Sequence, residues 1–121
     1  MLVVVSYLPS PLPDALVDLI AQRFRLLGEP TRIRLLDALR EGPATAADLQ
    51  AATGASQQNV SKHLAMLVDS GLLRRAKEGT RVYFSIADER IFDLCEQVCG
   101  SLRRQVAQLD ALLATEPAPA R

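Results

Sequence analysis

Apolar residues recur along this chain in two distinct rhythms. Leu16, Ile20, Phe24 and Leu27 step by three or four after Asp14, a fair helix cap, until Gly28 stops the pattern. That spacing predicts an amphipathic first helix. Pro30 suits the first position of a second helix, whose stripe of Ile33, Leu35, Leu36 and Leu39 ends before Gly42-Pro43. Thr45-Ala-Ala-Asp48 has the form of a capping box with Asp in place of Glu, opening a short third helix that carries Leu49 and Ala52 and closes at Gly54. Ser56 caps a fourth, in which Val60, Leu64, Leu67 and Val68 form one apolar face up to Gly71.

The rhythm then changes. Residues 72–77 and 81–86 are strand-like runs around Glu78-Gly79-Thr80, the length of a hairpin loop. Beyond them Asp88 caps a long final helix in which Ile91, Cys95, Val98, Leu102, Val106, Leu109 and Leu113 again step by three or four. Pro9, Pro11 and Pro13 make residues 1–13 an extended arm, and Pro117 and Pro119 make 114–121 a flexible tail. The expected organisation is one domain over residues 14–113, mainly α with a two-stranded β-wing.

Composition supports this and removes several classes of function. A chain of 121 residues has room for one domain, and 49% hydrophobic with 23% charged residues is ordinary globular usage. Aromatic content of 4%, without Trp, suits packed helices of Leu, Val, Ile and Ala. The apolar start Leu2-Val3-Val4-Val5 lacks a basic flank and soon meets proline. It resembles neither a signal peptide nor a membrane span, so a cytoplasmic protein with no membrane partner is expected. Fourteen Lys and Arg balance fourteen Asp and Glu, so attraction to nucleic acid has to come from uneven placement. Residues 56–85 supply it: Lys62, Arg74, Arg75, Lys77 and Arg81 outnumber Asp69 and Glu78, whereas 88–116 leans acidic.

A helix, a turn at Gly54, a second helix with a polar outer face and then a basic hairpin is the order of a winged helix-turn-helix. The second of these helices offers Gln57, Gln58, Asn59, Ser61, Lys62 and His63 as candidate DNA contacts. Gln and Asn match adenine edges, Ser and His bind bases or phosphates, and the helix N-terminus attracts a phosphate. Arg74, Arg75, Lys77 and Arg81 are the candidate contacts on the wing, and Arg32 is a further phosphate candidate that can equally pair with Glu29. A winged module used only for protein association, its polar face merely solvated, is the competing reading; steep salt dependence of DNA binding separates the two. No enzyme is expected, since neither Cys95 nor Cys99 has a nearby His or a CxxC arrangement to activate it.

The final helix, about 26 residues or about 39 Å long at its standard rise, exceeds what a small winged domain can cover. Its stripe therefore calls for a second copy. Leu16, Ile20 and Phe24 on the first helix, with Ile91, Cys95, Val98, Leu102, Val106 and Leu109 on the last, are the candidate homodimer seam.

Four segments resemble the ArsR/SmtB family of bacterial repressors: Gly28-Glu-Pro-Thr-Arg-Ile-Arg-Leu-Leu36, Asn59-Val-Ser-Lys-His-Leu64, Gly71-Leu72-Leu73 and Glu78-Gly-Thr-Arg-Val-Tyr-Phe84. The order and spacing match through about residues 14–113. The resemblance implies a homodimer built from the first and last helices, binding an inverted repeat in double-stranded DNA and released by an inducer. It places Gln57, Ser61 and His63 toward the major groove and Arg74, Arg75, Lys77 and Arg81 along the wing. The family's sensor motifs are not matched. The zinc pattern of the last helix falls here on Asp88, Arg90, Ser101 and Arg104, Thr45-Ala-Ala-Asp-Leu49 lacks the Cys-Val-Cys site, and the recognition-helix cysteines correspond to Met66 and Ser70.

Cys95-Glu-Gln-Val-Cys99 puts two thiols one turn apart on the last helix. Three readings remain open: small apolar packing, oxidation or persulfidation, and soft-metal binding of arsenite, cadmium or copper(I), with two more thiolates from a partner helix. The cofactor expectation is accordingly a soft metal ion through Cys95 and Cys99, or none.

Overall fold

The computed structural model of the protein describes residues 8–114, so the start of the expected arm and the tail beyond Ala114 lie outside the described residues. Residues 8–13 carry no helix, and α1 follows over Asp14–Leu27. Its cap is Pro13, with no side-chain hydrogen bond. Asp14 lies one position further in than expected, inside the first turn, where its charge meets the positive end of the helix dipole.

Helix α2 spans Pro30–Ala38 with proline at the front, and the Glu29 carboxylate accepts the Arg32 N–H at 3.0 Å. A single 3-10 turn, Leu39–Glu41, follows. Helix α3 spans Ala46–Thr53 behind a complete capping box: Thr45 Oγ1 accepts the Asp48 N–H, and Asp48 Oδ2 accepts the Thr45 N–H, each at 3.1 Å. Gly54 ends α3 at φ 72°, a left-handed conformation that a side chain would strain. Two residues later Ser56 Oγ accepts the Asn59 N–H at 3.2 Å and α4 begins, spanning Gln57–Asp69.

Strands β1 (Leu73–Glu78) and β2 (Arg81–Ile86) pair antiparallel with Glu78 opposite Arg81, so the loop is the two-residue Gly79-Thr80 rather than the expected three. Gly79 has φ 62° while no non-glycine residue among those described has positive φ, the signature of a type II′ turn. Ala44 adds a bridge to Phe84, tying the approach to α3 to the hairpin. Leu35, Leu36, Leu39, Leu49, Val60, Leu64, Leu67, Leu72, Leu73 and Phe84 make the core beneath these elements. Ile33, expected on the α2 stripe, is exposed instead.

The chain divides into two compact units, Met1–Ala87 and Asp88–Arg121. Within the second, α5 runs Ile91–Ala114. It starts later than an Asp88 cap implies, because Asp88 Oδ1 accepts the Arg90 N–H at 3.1 Å and Ile91 and Phe92 donate three residues back, winding a tighter lead-in turn. No helix among the described residues is long and apolar enough to cross a membrane.

Candidate nucleic-acid interface

Four residues of α4 are buried: Val60, His63, Leu64 and Leu67. They fall at i, i+3, i+4 and i+7, one continuous face of a helix. This anchored face leaves Gln57, Gln58, Asn59, Ser61 and Lys62 exposed together, as a reading helix requires. His63 does not join them, which corrects its expected place on the groove-facing side. It is only 7% exposed, and its Nδ1 lies 3.2 Å from Arg32 Nη1. A guanidinium can only donate, so Nδ1 is the acceptor toward Arg32, while Nε2 lies 3.7 Å from Glu29 Oε2.

Arg32 is likewise withdrawn from the surface and from any phosphate. It is 9% exposed, and its guanidinium donates to the carbonyls of Leu26 and Arg25 at the end of α1 and to Met66 Sδ on α4. The expected pairing with Glu29 is present through the Arg32 backbone N–H. At Glu29 desolvation pulls the carboxyl pKa upward, but the Arg32 N–H, the neighbouring His63 and Arg32 side chains and the Thr31 N–H together hold it below its ordinary value.

The hairpin register sorts the basic wing residues onto two faces. Arg75 stands opposite Phe84 and Lys77 opposite Val82, on the face that Leu73 shares, whereas Arg74, opposite Ser85, and Arg81, opposite Glu78, belong to the other. Arg75 and Phe84 line a groove with Ser61, Leu64, Ala65, Val68 and Asp69 of α4 and with Ala46. Ser61 and Arg75 are thus brought together from helix and wing. Arg74 is not part of that groove; it donates to the Ala87 carbonyl at 3.4 Å. Arg81 helps hold the Asp48 carboxyl below its ordinary pKa, behind the larger effects of the Thr45 N–H and hydroxyl.

Two helices present apolar surface to solvent. On α1, Leu16 and Ile20 are half-buried and Phe24 is exposed, joined by Val17 and Leu19, which the sequence reading did not single out. On α5, only Ile91 is buried among the described residues; Val98, Leu102, Val106 and Leu109 are 52–57% exposed, and Leu112 and Leu113 more so. Cys95 and Cys99 are both exposed free thiols, and no third Cys, His, Asp or Glu completes a metal-binding group among the described residues. One chain therefore offers a thiophilic ion two ligands.

Comparison with known proteins agrees with this geometry. A model of a helix-turn-helix domain matches residues 27–76. The probable mercury resistance operon repressor of Streptomyces lividans is 36% identical over 89 residues, which cover 74% of this chain and 71% of that protein. Among solved structures, the AntR antimony-specific transcriptional repressor is 32% identical at a TM-score of 0.68, covering 87% of this chain and 99% of its own. The homodimeric winged helix-turn-helix DNA-binding domain Mb0332 from Mycobacterium bovis, a possible ArsR-family regulator, is 29% identical at a TM-score of 0.62, covering 88% of this chain and 91% of its own.

Proposed function

Because the chain belongs to the ArsR/SmtB family of winged helix-turn-helix regulators, we propose that it is a homodimeric repressor that binds an inverted repeat and leaves it when an inducer binds. The single observation that carries this reading is the division of α4 into a buried face and an exposed face. Val60, His63, Leu64 and Leu67 hold the helix down, while Gln57, Gln58, Asn59, Ser61 and Lys62 are exposed, Ser61 sharing a groove with Arg75 of the wing. A long polar edge beside a basic hairpin is what a major groove accepts. The work of the protein is recognition rather than catalysis.

The homodimer is supported by the exposed apolar side chains along α1 and α5, Val17, Leu19 and Phe24 on the one and Val98, Leu102, Val106 and Leu109 on the other, which a second copy would cover. A two-fold pairing of two copies repeats the reading helix at a fixed separation, which is why the DNA site is an inverted repeat. For the inducer, a soft thiophilic ion is favoured by Cys95 and Cys99, two exposed thiols one helical turn apart on α5. Three or four thiolates suit such an ion, and a second copy would supply those that one chain lacks.

The deciding experiment is a binding titration with duplexes from the DNA upstream of the protein's own gene. A specific complex whose affinity falls steeply between low and moderate salt supports the reading. Absence of a specific complex on any fragment would turn the module into one for protein association.

A further inference from the structure

Helix α1 has no buried residue and only half-buried apolar ones such as Leu16, Ile20 and Leu27, so apolar packing leaves open part of the task of fixing its direction relative to the reading helix. Polar bonds take over that task. Arg32 reaches from α2 to both helices at once. Its Nε and Nη2 donate to Leu26 O and Arg25 O, the latter at 3.3 Å, in the last turn of α1, where carbonyls lack helical partners. Its Nη1 lies 3.2 Å from His63 Nδ1 and 3.3 Å from Met66 Sδ on α4. A second tie joins the same two helices at the far end of α4, where Arg23 Nη2 donates to Ser70 O at 3.2 Å.

The shape of the guanidinium matters here. Its donors form a rigid planar fork, so partners on two helices fix each other's positions, as a flexible ammonium could not. Arg32 is also buried, so moving either helix alone strands a donor away from water, which is unfavourable. His63 completes the bracket: its Nε2 faces the carboxylate of Glu29, and that carboxylate caps α2 through the Arg32 N–H.

We propose that Arg32 is a positioning residue for DNA recognition, its guanidinium bracketing the end of α1 to the buried side of α4 so that movement of α1 reorients the groove-facing side chains. This rests on the DNA-binding reading above, and the two fail in different ways.

The test measures dissociation constants of the full chain for its operator duplex, located by footprinting upstream of its gene, and for a scrambled duplex. Sedimentation and circular dichroism accompany each sample. Arg32→Met keeps the bulk and removes every donor. The operator-to-scrambled affinity ratio is expected to fall about tenfold, with scrambled-duplex binding, a matter of charge, unchanged within about twofold. A merely structural role would shrink the active fraction and weaken both duplexes alike, so an unchanged ratio overturns the proposal.

If Arg32→Met does not fold, a second pair decides. The amide oxygen of His63→Gln can accept from the guanidinium; the side chain of His63→Leu cannot. A ratio lost in His63→Leu and recovered in His63→Gln supports the bracket, and equal ratios overturn it. Failure of the unaltered chain to discriminate the operator removes the DNA-binding reading and this proposal together. Discrimination that survives in the variants removes the bracket alone.

Discussion

Arg75 stands directly across the hairpin from Phe84 and lines the same groove as Ser61 of the reading helix. The buried ring fixes the strand, and the strand fixes where the guanidinium emerges. Arg75→Ala is therefore expected to weaken binding uniformly across DNA sequences and to lower the salt slope by about one counterion. Arg74→Ala, on the opposite face and bonded to the Ala87 carbonyl, is expected to leave that slope nearly unchanged. Fluorescence anisotropy over a salt series checks both; equal slopes for the two variants would contradict the division of faces.

Gln57 opens α4 and is exposed, one position after the Ser56 cap. N-terminal residues of a recognition helix meet base edges, and loss of one bidentate contact costs about 1–3 kcal/mol at a single base position. Gln57→Ala should accordingly relax preference at one position in each half-site, whereas Lys62→Ala should weaken all sequences alike. Binding to a library of singly altered operators distinguishes these patterns, and a uniform loss for Gln57→Ala would remove it from direct readout.

Most of the fold was legible because it depends on local chemistry. Thr45 with Asp48, Ser56, Gly54 and Pro30 each solve a problem within their own helix or turn, so each could be read in place. His63 shows where such reading stopped. A lone polar residue in a polar run looked exposed, yet its offset of three from Val60 and four from Leu67 puts it on the buried face. Periodicity could have found it. Its partners could not have been found that way, because Arg32 and Glu29 reach it through tertiary packing across more than thirty positions. The wing's two faces also needed the register, since shifting the turn by one residue exchanges them.

The capping box of α3 has a pH signature. Asp48 has its pKa lowered in the folded chain by the Thr45 N–H and hydroxyl, which outweigh the opposing desolvation, with a lesser contribution from Arg81. A lowered folded value means that its contribution to stability is present above the unfolded aspartate value of about 3.9 and is lost as pH falls through the folded one. Asp48→Asn should flatten the stability profile in that acidic window, and Thr45→Ala should cost about 1 kcal/mol near neutrality. Urea unfolding midpoints from pH 7 downward test both; a profile identical to the unaltered chain would show that the box contributes nothing.

Leu102 lies midway along the exposed apolar face of α5, where 55% of its surface meets solvent in one chain. If a second copy covers that face, a carboxylate there meets an apolar surface and must be desolvated without a partner. Leu102→Asp is expected to dissociate the dimer into folded subunits and to abolish binding to the paired half-sites. Sedimentation with DNA titration on the same sample measures both, and a variant that stays dimeric on its operator would place the seam elsewhere.

Cys95 and Cys99 make the last prediction separable from all of these. A thiophilic ion binds thiolates, displaces their protons and gives sulfur-to-metal charge-transfer absorption, none of which packing of a small side chain produces. Under a reductant that does not itself bind these ions, arsenite, Cd(II) or Cu(I) should release the unaltered chain from its operator with growth of that absorption. Cys95→Ser/Cys99→Ser should stay bound and remain spectroscopically silent, while its affinity without metal stays close to that of the unaltered chain, because neither thiol lies on α4 or the wing. Release by persulfide or oxidant, but not by any of these ions, would move the signal from metal to sulfur chemistry at the same two residues. Release of the double variant under the conditions that release the unaltered chain would show that the inducer acts away from the thiols.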